Sequence, residues 1–240
     1  MAEAPHSLAG VGLFEGLPDA ALDRLGHGTV LALGGGGGGG PAGHAAVFHQ
    51  GDPADAVYAI VGGTGRIQVG APDQNSKRLM VEVLRAGEVF GELGVIDAGR
   101  RTADAVADGP VRLVRIPAVL FLAVLSDTPR LGVNLAHLLA ARLRRTFALY
   151  QDASFETVET RLARQVLYLA ERDGRRTEQG VRLAGQLRQT DLADLLGTTT
   201  RSVITVLNAW RSRGWVSYDG DKALLVVLDA ARLRNLMAAD

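Results

Sequence analysis

The chain has 240 residues, 47% hydrophobic and 22% charged, enough for one large or two modest domains with cores of their own. It contains no cysteine, which excludes disulfides, thiolate metal sites and cysteine-held iron–sulfur clusters, and a formal net charge of zero removes any bulk-charge argument for a nucleic-acid partner. No apolar run approaches the roughly 20 residues of a bilayer span. Met1 to Gly10 lacks a basic stretch followed by an apolar core, so a cytoplasmic chain with no membrane partner is the expectation.

The first element is a short apolar lead-in, Leu8 to Leu25. Gly34–Gly40 follows, seven consecutive glycines that would lose too much backbone entropy to order as helix or strand. No Lys-Ser/Thr pair and no helix follow the run, so it is read as a surface loop rather than a phosphate cradle. From Ala45 to Pro117 short runs rich in Val, Ile and Leu recur: Ala46–Phe48, Val57–Val61, Arg66–Val69, Leu79–Leu84, Ala103–Ala107 and Val111–Ile116. Turn signals separate them, among them Gly51-Asp52-Pro53, Gly62-Gly63, Pro72-Asp73 and Asp108-Gly109-Pro110. The spacing predicts a small β-sandwich or jelly roll.

The period then changes to that of a helix. Thr128 to Ala153 reads as one long helix, with Thr128 as N-cap and Pro129 in the first turn. Gly132, Ala136, Leu139, Leu143, Thr146, Tyr150 and Ala153 form a seam at alternating steps of four and three. Such a seam serves a two-stranded coiled coil, and it also serves a helix packed on its own β-domain. A further helix covers about Thr157–Arg172, with Val158, Leu162, Val166 and Leu169 on one face. Leu187–Gly197 reads as a short helix with Thr190 as N-cap, and Thr199 or Thr200 starts another that runs to about Arg213. Leu192, Ala193, Leu196, Val203, Leu207 and Trp210 form their shared core, and Gly197 permits the tight turn between them, the pattern of a helix-turn-helix. Trp215–Tyr218 and Ala223–Leu228 flank Asp219-Gly220-Asp221, a hairpin signal that completes a winged helix. The fold class is therefore α+β, divided as a 1–127 β-domain, a 128–153 long helix and a 154–240 winged helix. Beyond Phe155 there are 13 Lys/Arg against 11 Asp/Glu, so the case for DNA rests on pattern.

The order of parts resembles the cyclic-AMP receptor protein/FNR family of bacterial transcription regulators across nearly the whole chain. Two segments carry the resemblance. Gly91-Glu92-Leu93-Gly94 with Arg101-Thr102-Ala103 resembles the family's phosphate-binding cassette. Gln189-Thr190-Asp191-Leu192-Ala193 with Gly197, Val203, Leu207 and Gly214 resembles its helix-turn-helix. The resemblance implies a cyclic-nucleotide-binding β-roll, a homodimer through the long helix, double-stranded DNA as partner and RNA polymerase as another. No prosthetic group or metal is expected; His6, His27, His44, His49 and His137 lack ligand-like spacing.

A cyclic nucleotide presents one phosphate anion, a ribose hydroxyl and a flat base. Arg101 can grip the phosphate with charge-assisted bonds and Thr102 can donate a hydroxyl. Gly91, Leu93 and Ala103 complete the cassette, with backbone N–H groups offered where a short helix begins. Glu92 can accept from the ribose hydroxyl. The resemblance places Arg142 beside the pocket and Thr146 where a threonine reaches the adenine amino group, which makes cyclic AMP the first effector. Phe147 departs from the family, which often has a small polar residue there. The alternative is that Glu92 and Arg101 simply pair with each other, worth only about 0–1 kcal/mol at a surface.

On the second helix of the helix-turn-helix, Thr200, Arg201, Ile204, Thr205 and Asn208 form the outward face. Arg201 is the residue that can read guanine bidentately, and Thr200 and Thr205 can meet phosphates or a thymine methyl. Ser202, Arg188, Arg211, Arg213 and Lys222 are candidate phosphate contacts. Family members commonly carry Arg-Glu at Thr200-Arg201 and Arg at Thr205, so the usual half-site does not carry over. Two other readings stand beside this one: a DNA-binding regulator with a different effector or none, and a nucleotide-binding module acting on a protein. An enzyme is not expected, because no nucleophile–base pair or metal cluster stands out.

Overall fold

The computed structural model describes residues 8–34, 44–72, 78–183, 187–219 and 224–237. Residues 35–40 of the glycine run lie outside them. The chain divides into two compact units, 1–72 with 81–144 and 73–80 with 145–240.

The first unit is built on two four-stranded antiparallel sheets. One has the order β1 (Thr29–Leu33), β8 (Val111–Pro117), β3 (Ala56–Gly63), β6 (Val89–Phe90); the other has β2 (His44–Phe48), β7 (Asp104–Asp108), β4 (Arg66–Pro72), β5 (Arg78–Leu84). The strand β3 explains the layering. Its residues 56–60 are all buried, because alternate side chains serve two cores. Ala56, Tyr58 and Ile60 join Ile67, Leu84, Phe90, Ala105 and Leu113 in one cluster. Val57 and Ala59 join the other, with Leu13, Phe14, Leu25, Phe121, Val124 and Leu131 from the helical side. That helical layer comprises α1 (Asp19–Gly26), α3 (Ala118–Asp127) and the start of α4 (Pro129–Phe155); α2 (Leu93–Ile96) is a single turn after Glu92.

The periodic runs expected from the sequence all appear as strands. Two strands, β1 and β6, and two helices, α1 and α3, lie outside those expectations. β1 and the two-residue β6 carry too little pattern to stand out. In α3 the sequence AVLFLAVL is nearly continuous hydrophobe, which has no period to mark it as a helix.

Along α4 the two readings of the apolar seam turn out to describe different stripes. Leu131 and Leu135 are buried in the first unit's core, with Leu138 and Leu139 packed against it. Ala136, Leu143, Thr146 and Tyr150 are exposed, Tyr150 at 73%. Leu139, half-buried, packs against that core from the seam. Asn134 ties the same helix to the lead-in by donating to the carbonyls of Leu13 and Glu15 at 3.0 and 2.9 Å.

In the second unit, α5 (Val158–Asp173), α6 (Gln189–Leu196), α7 (Thr200–Ser212) and α8 (Ala230–Leu236) accompany a sheet ordered β11 (Val216–Asp219), β12 (Leu224–Val227), β10 (Gly180–Arg182), β9 (Arg175–Thr177). Leu192, Ala193, Leu196, Val203, Leu207 and Trp210 are all buried, as their spacing predicts. The cap of α6 lies two residues before the expected Thr190. Arg188 precedes the helix and its N–H donates to Asp191 at 2.9 Å, so Thr190 sits inside the first turn. Thr199 caps α7, accepting from the N–H of Ser202 at 3.1 Å. The hairpin β11–β12 forms, while its turn, with Gly220, Asp221 and Lys222, lies outside the described residues. The pair β9–β10 and α8 were not anticipated. No single helix among the described residues is long and apolar enough to cross a membrane.

Candidate functional site

In the first unit, Gly91, Glu92, Arg101 and Arg142 come together. The side chain of Arg101 is only 2% exposed. Its Nη1 donates to the carbonyl oxygen of Gly91 at 2.7 Å, and its Nη2 lies 3.4 Å from Asp55 Oδ1. The guanidinium also stacks over Phe48, 4.2 Å from the ring centroid, with Tyr58 at 5.5 Å. Phe48, Tyr58 and Phe90 form one aromatic group, with Tyr58 and Phe90 stacked at 5.2 Å. Gly91 has φ +80°, and a Cβ there would lie 2.7 Å from Arg101 Nη1. Only glycine permits both the turn and the approach.

Segment 51–55 fixes the backbone of the arginine. The N–H of Arg101 donates to Asp52 O, and Gly51 N–H donates to Arg101 O, both at 2.9 Å. Burial lowers the pKa of Arg101, with Tyr58 and Asp55 opposing the shift. An arginine starts so far above neutrality that it remains charged.

Glu92 is 1% exposed. Its Oε1 accepts from Arg142 Nη1 at 2.5 Å, and Arg142 also donates to Val89 O at 2.6 Å and lies 3.3 Å from Glu82. Burial alone would lower the pKa of Arg142, but Glu92 and Glu82 outweigh it and raise the value. The two charged residues of the cassette therefore have different partners, and the alternative Glu92–Arg101 ion pair does not form. Each of these two residues keeps one buried side-chain atom without a hydrogen-bond partner, Glu92 Oε2 and Arg101 Nε. One is an anionic acceptor and the other a cationic donor, and each costs about 1–3 kcal/mol when left without a partner. A ligand carrying an anion and a hydroxyl matches that pair.

The other expected ligand residues are distributed differently. Ala103 is buried, while Leu93 and Thr102 are exposed. Thr146 is exposed and belongs to the second unit. Phe147 is 60% exposed. Asp55, Arg115, Glu82 and the aromatic group escaped the sequence reading. Asp55 stands 46 residues from Arg101 inside an ordinary turn sequence, where nothing local signals the contact.

In the second unit, Gly197 adopts φ +58° and turns α6 into α7. Arg201, Ile204, Thr205 and Asn208 are exposed on α7, with Thr200 and Ser202 half-buried and Arg188 exposed before α6. The Thr205 hydroxyl donates to Arg201 O at 2.9 Å, which leaves its oxygen and methyl group for an outside partner. Ser202 Oγ and Thr199 Oγ1 are 2.9 Å apart. Arg211 is exposed, and Arg213 lies 3.8 Å from Glu159 and over the Trp215 ring. Trp210, fully buried, fixes α7 against α5 by donating to Glu159 Oε1 at 2.8 Å.

Residues 42–128 match the cyclic nucleotide-binding domain and residues 160–236 the Crp-like helix-turn-helix domain. Over 226 residues, 94% of this chain and 96% of the relative, the sequence is 31% identical to a CRP-like cAMP-activated global transcriptional regulator of Mycobacterium tuberculosis. It is 32% identical to a cyclic AMP receptor protein of Thermus thermophilus over 170 residues, 71% of this chain and 74% of that one. Among solved structures, FixK2 from Bradyrhizobium japonicum shares the fold, with a TM-score of 0.73 and 18% identity over 87% of this chain and 96% of that chain.

Proposed function

Since this chain belongs to the cyclic-AMP receptor protein/FNR family of transcription regulators, we propose that cyclic AMP is its effector and a two-fold symmetric DNA operator its target. The family consists of dimeric, DNA-binding regulators rather than enzymes, with a cyclic nucleotide-binding domain joined to a helix-turn-helix. The observation that carries the effector reading is the buried, unsatisfied pair of Glu92 Oε2 and Arg101 Nε. A cyclic phosphate supplies an acceptor to Arg101, and a ribose supplies a hydroxyl to Glu92, so one ligand relieves both desolvation costs. Gly91, Leu93, Thr102 and Ala103 form the rest of the cassette in this reading. Arg142 orients Glu92. Thr146, matched to the adenine-reading threonine, is the reason for choosing adenine over guanine, and the two relatives whose names specify cyclic AMP support that choice.

The operator is read by Arg201, with Thr200, Ser202, Thr205, Asn208 and Arg188 positioning or assisting. A dimer presents two copies of α7 and so reads a site with matching symmetry. Ligand binding shifts a dimer equilibrium toward the DNA-binding arrangement, which requires only that the two arrangements differ in nucleotide affinity. RNA polymerase is the further partner of a regulator acting at promoters.

Calorimetric titration of the full chain with cyclic AMP and cyclic GMP tests the effector. Heat with cyclic AMP at micromolar affinity is expected; no heat from either nucleotide at about 50 μM protein would overturn the reading. Selection from a random DNA library, with and without cyclic AMP, tests the operator. Two-fold symmetric sequences enriched only with the nucleotide are expected, while unsymmetric or nucleotide-independent enrichment counts against it.

A further inference from the structure

Next to Arg101 stands a carboxylate that nucleotide binding as described does not use. Asp55 lies between two arginines, with Oδ1 3.4 Å from Arg101 Nη2 and Oδ2 2.6 Å from Arg115 Nη2. The shorter contact, to Arg115, keeps Asp55 in place when a ligand competes for Arg101. Its backbone is fixed as well, since Asp55 O accepts from Ala118 N–H at 2.9 Å. The remaining contacts of the Arg101 side chain are uncharged: the Gly91 carbonyl and the faces of Phe48 and Tyr58. Asp52 is the other nearby carboxylate, and it accepts from the N–H of His49 at 2.8 Å. Any anion held by Arg101 therefore shares that guanidinium with the carboxylate of Asp55, whose charge Arg115 offsets in part.

Resting on the reading that Arg101 receives the ligand's phosphate, we propose that Asp55 is a specificity-determining residue that disfavours phosphomonoesters relative to cyclic phosphodiesters. A cyclic phosphodiester has one acidic oxygen and carries a single negative charge. A phosphomonoester, with a second pKa near 6, carries about −1.5 to −2 at pH 7. Hydrolysis of cyclic AMP leaves 5′-AMP, which keeps the same base and sugar, so contacts to those parts separate the two ligands poorly. Charge separates them. Each unit of ligand charge is repelled by Asp55, and the monoester suffers the larger penalty. Because the Asp55 side chain is 61% exposed, solvent screens the repulsion and the effect is moderate. Arg115, freed by loss of Asp55, would add a second cation to the same side and increase the difference.

The test is the ratio of dissociation constants for 5′-AMP and cyclic AMP, measured on the full chain at about pH 7.5. In Asp55→Asn and Asp55→Ser the ratio is expected to fall about fivefold, with 5′-AMP gaining the most. Asp55→Glu, which keeps the charge, should hold the ratio within about twofold of the natural chain. If both affinities change in parallel in Asp55→Asn and Asp55→Ser, Asp55 merely positions Arg101 and the proposal is overturned. If the unmodified chain binds no cyclic nucleotide, the effector reading itself fails, a separate outcome.

Discussion

The cassette and the recognition helix use charge in opposite ways. Around Glu92 and Arg101 the charges are inside the protein, 1% and 3% exposed, and each is held by partners from distant parts of the chain. On α7 the side chains that face outward, Arg201 among them, stand on a helix whose other face is buried by Val203, Leu207 and Trp210. A buried charge is coupled to the fold and to the ligand at once, because desolvation makes every contact count. An exposed one is screened by water until DNA arrives. The first region can transmit the presence of a ligand to the fold; the second can change its DNA preference with little effect on stability. This is the physical reason that one unit can sense while the other reads.

The largest effect that would test this contrast is on stability. Arg142→Ala leaves the Glu92 carboxylate buried without its cation, and the chain should lose about 3–5 kcal/mol, seen in chemical denaturation. A loss below about 1 kcal/mol would place Glu92 in a wetter setting than its burial indicates. Next, Arg101→Ala should weaken cyclic AMP about 100-fold, or about 2.7 kcal/mol, while the helix-turn-helix keeps its non-specific, salt-dependent DNA binding. Titration of nucleotide and gel shifts at two salt concentrations read the two properties separately. Unfolding of this variant would make Arg101 structural. The smallest effect is that of Arg201→Ala, which should cost about 1–3 kcal/mol at one base position per half-site and leave the denaturation midpoint unchanged. Uniform weakening across all sequences would demote Arg201 to a phosphate contact.

Much of the architecture was legible because its signals are local. The period of two in the strands, the period of 3.6 in α5 and α7, and the αL glycine at Gly197 each follow from a few neighbouring residues. Elements without period or length, such as β1, β6, α3 and the β9–β10 pair, were not. Thr190 is not the cap because Asp191 accepts from the N–H of Arg188 in a helix that starts two residues earlier. Part of the site was legible too, since Gly91, Glu92, Arg101 and Arg142 do converge.

The contrast between a buried cassette and an exposed recognition face was thus only half written in the linear chain. By itself the sequence determined the succession of strands and helices, the family, and the residue types able to meet a cyclic phosphate and a base edge. Tertiary structure alone decided who partners whom: Glu92 with Arg142, and Arg101 with Gly91 and Asp55. The reason is distance along the chain. Backbone periodicity is set within a few residues, whereas ion pairs 46 and 50 residues apart depend on sheet register and on how closely glycine lets two segments approach.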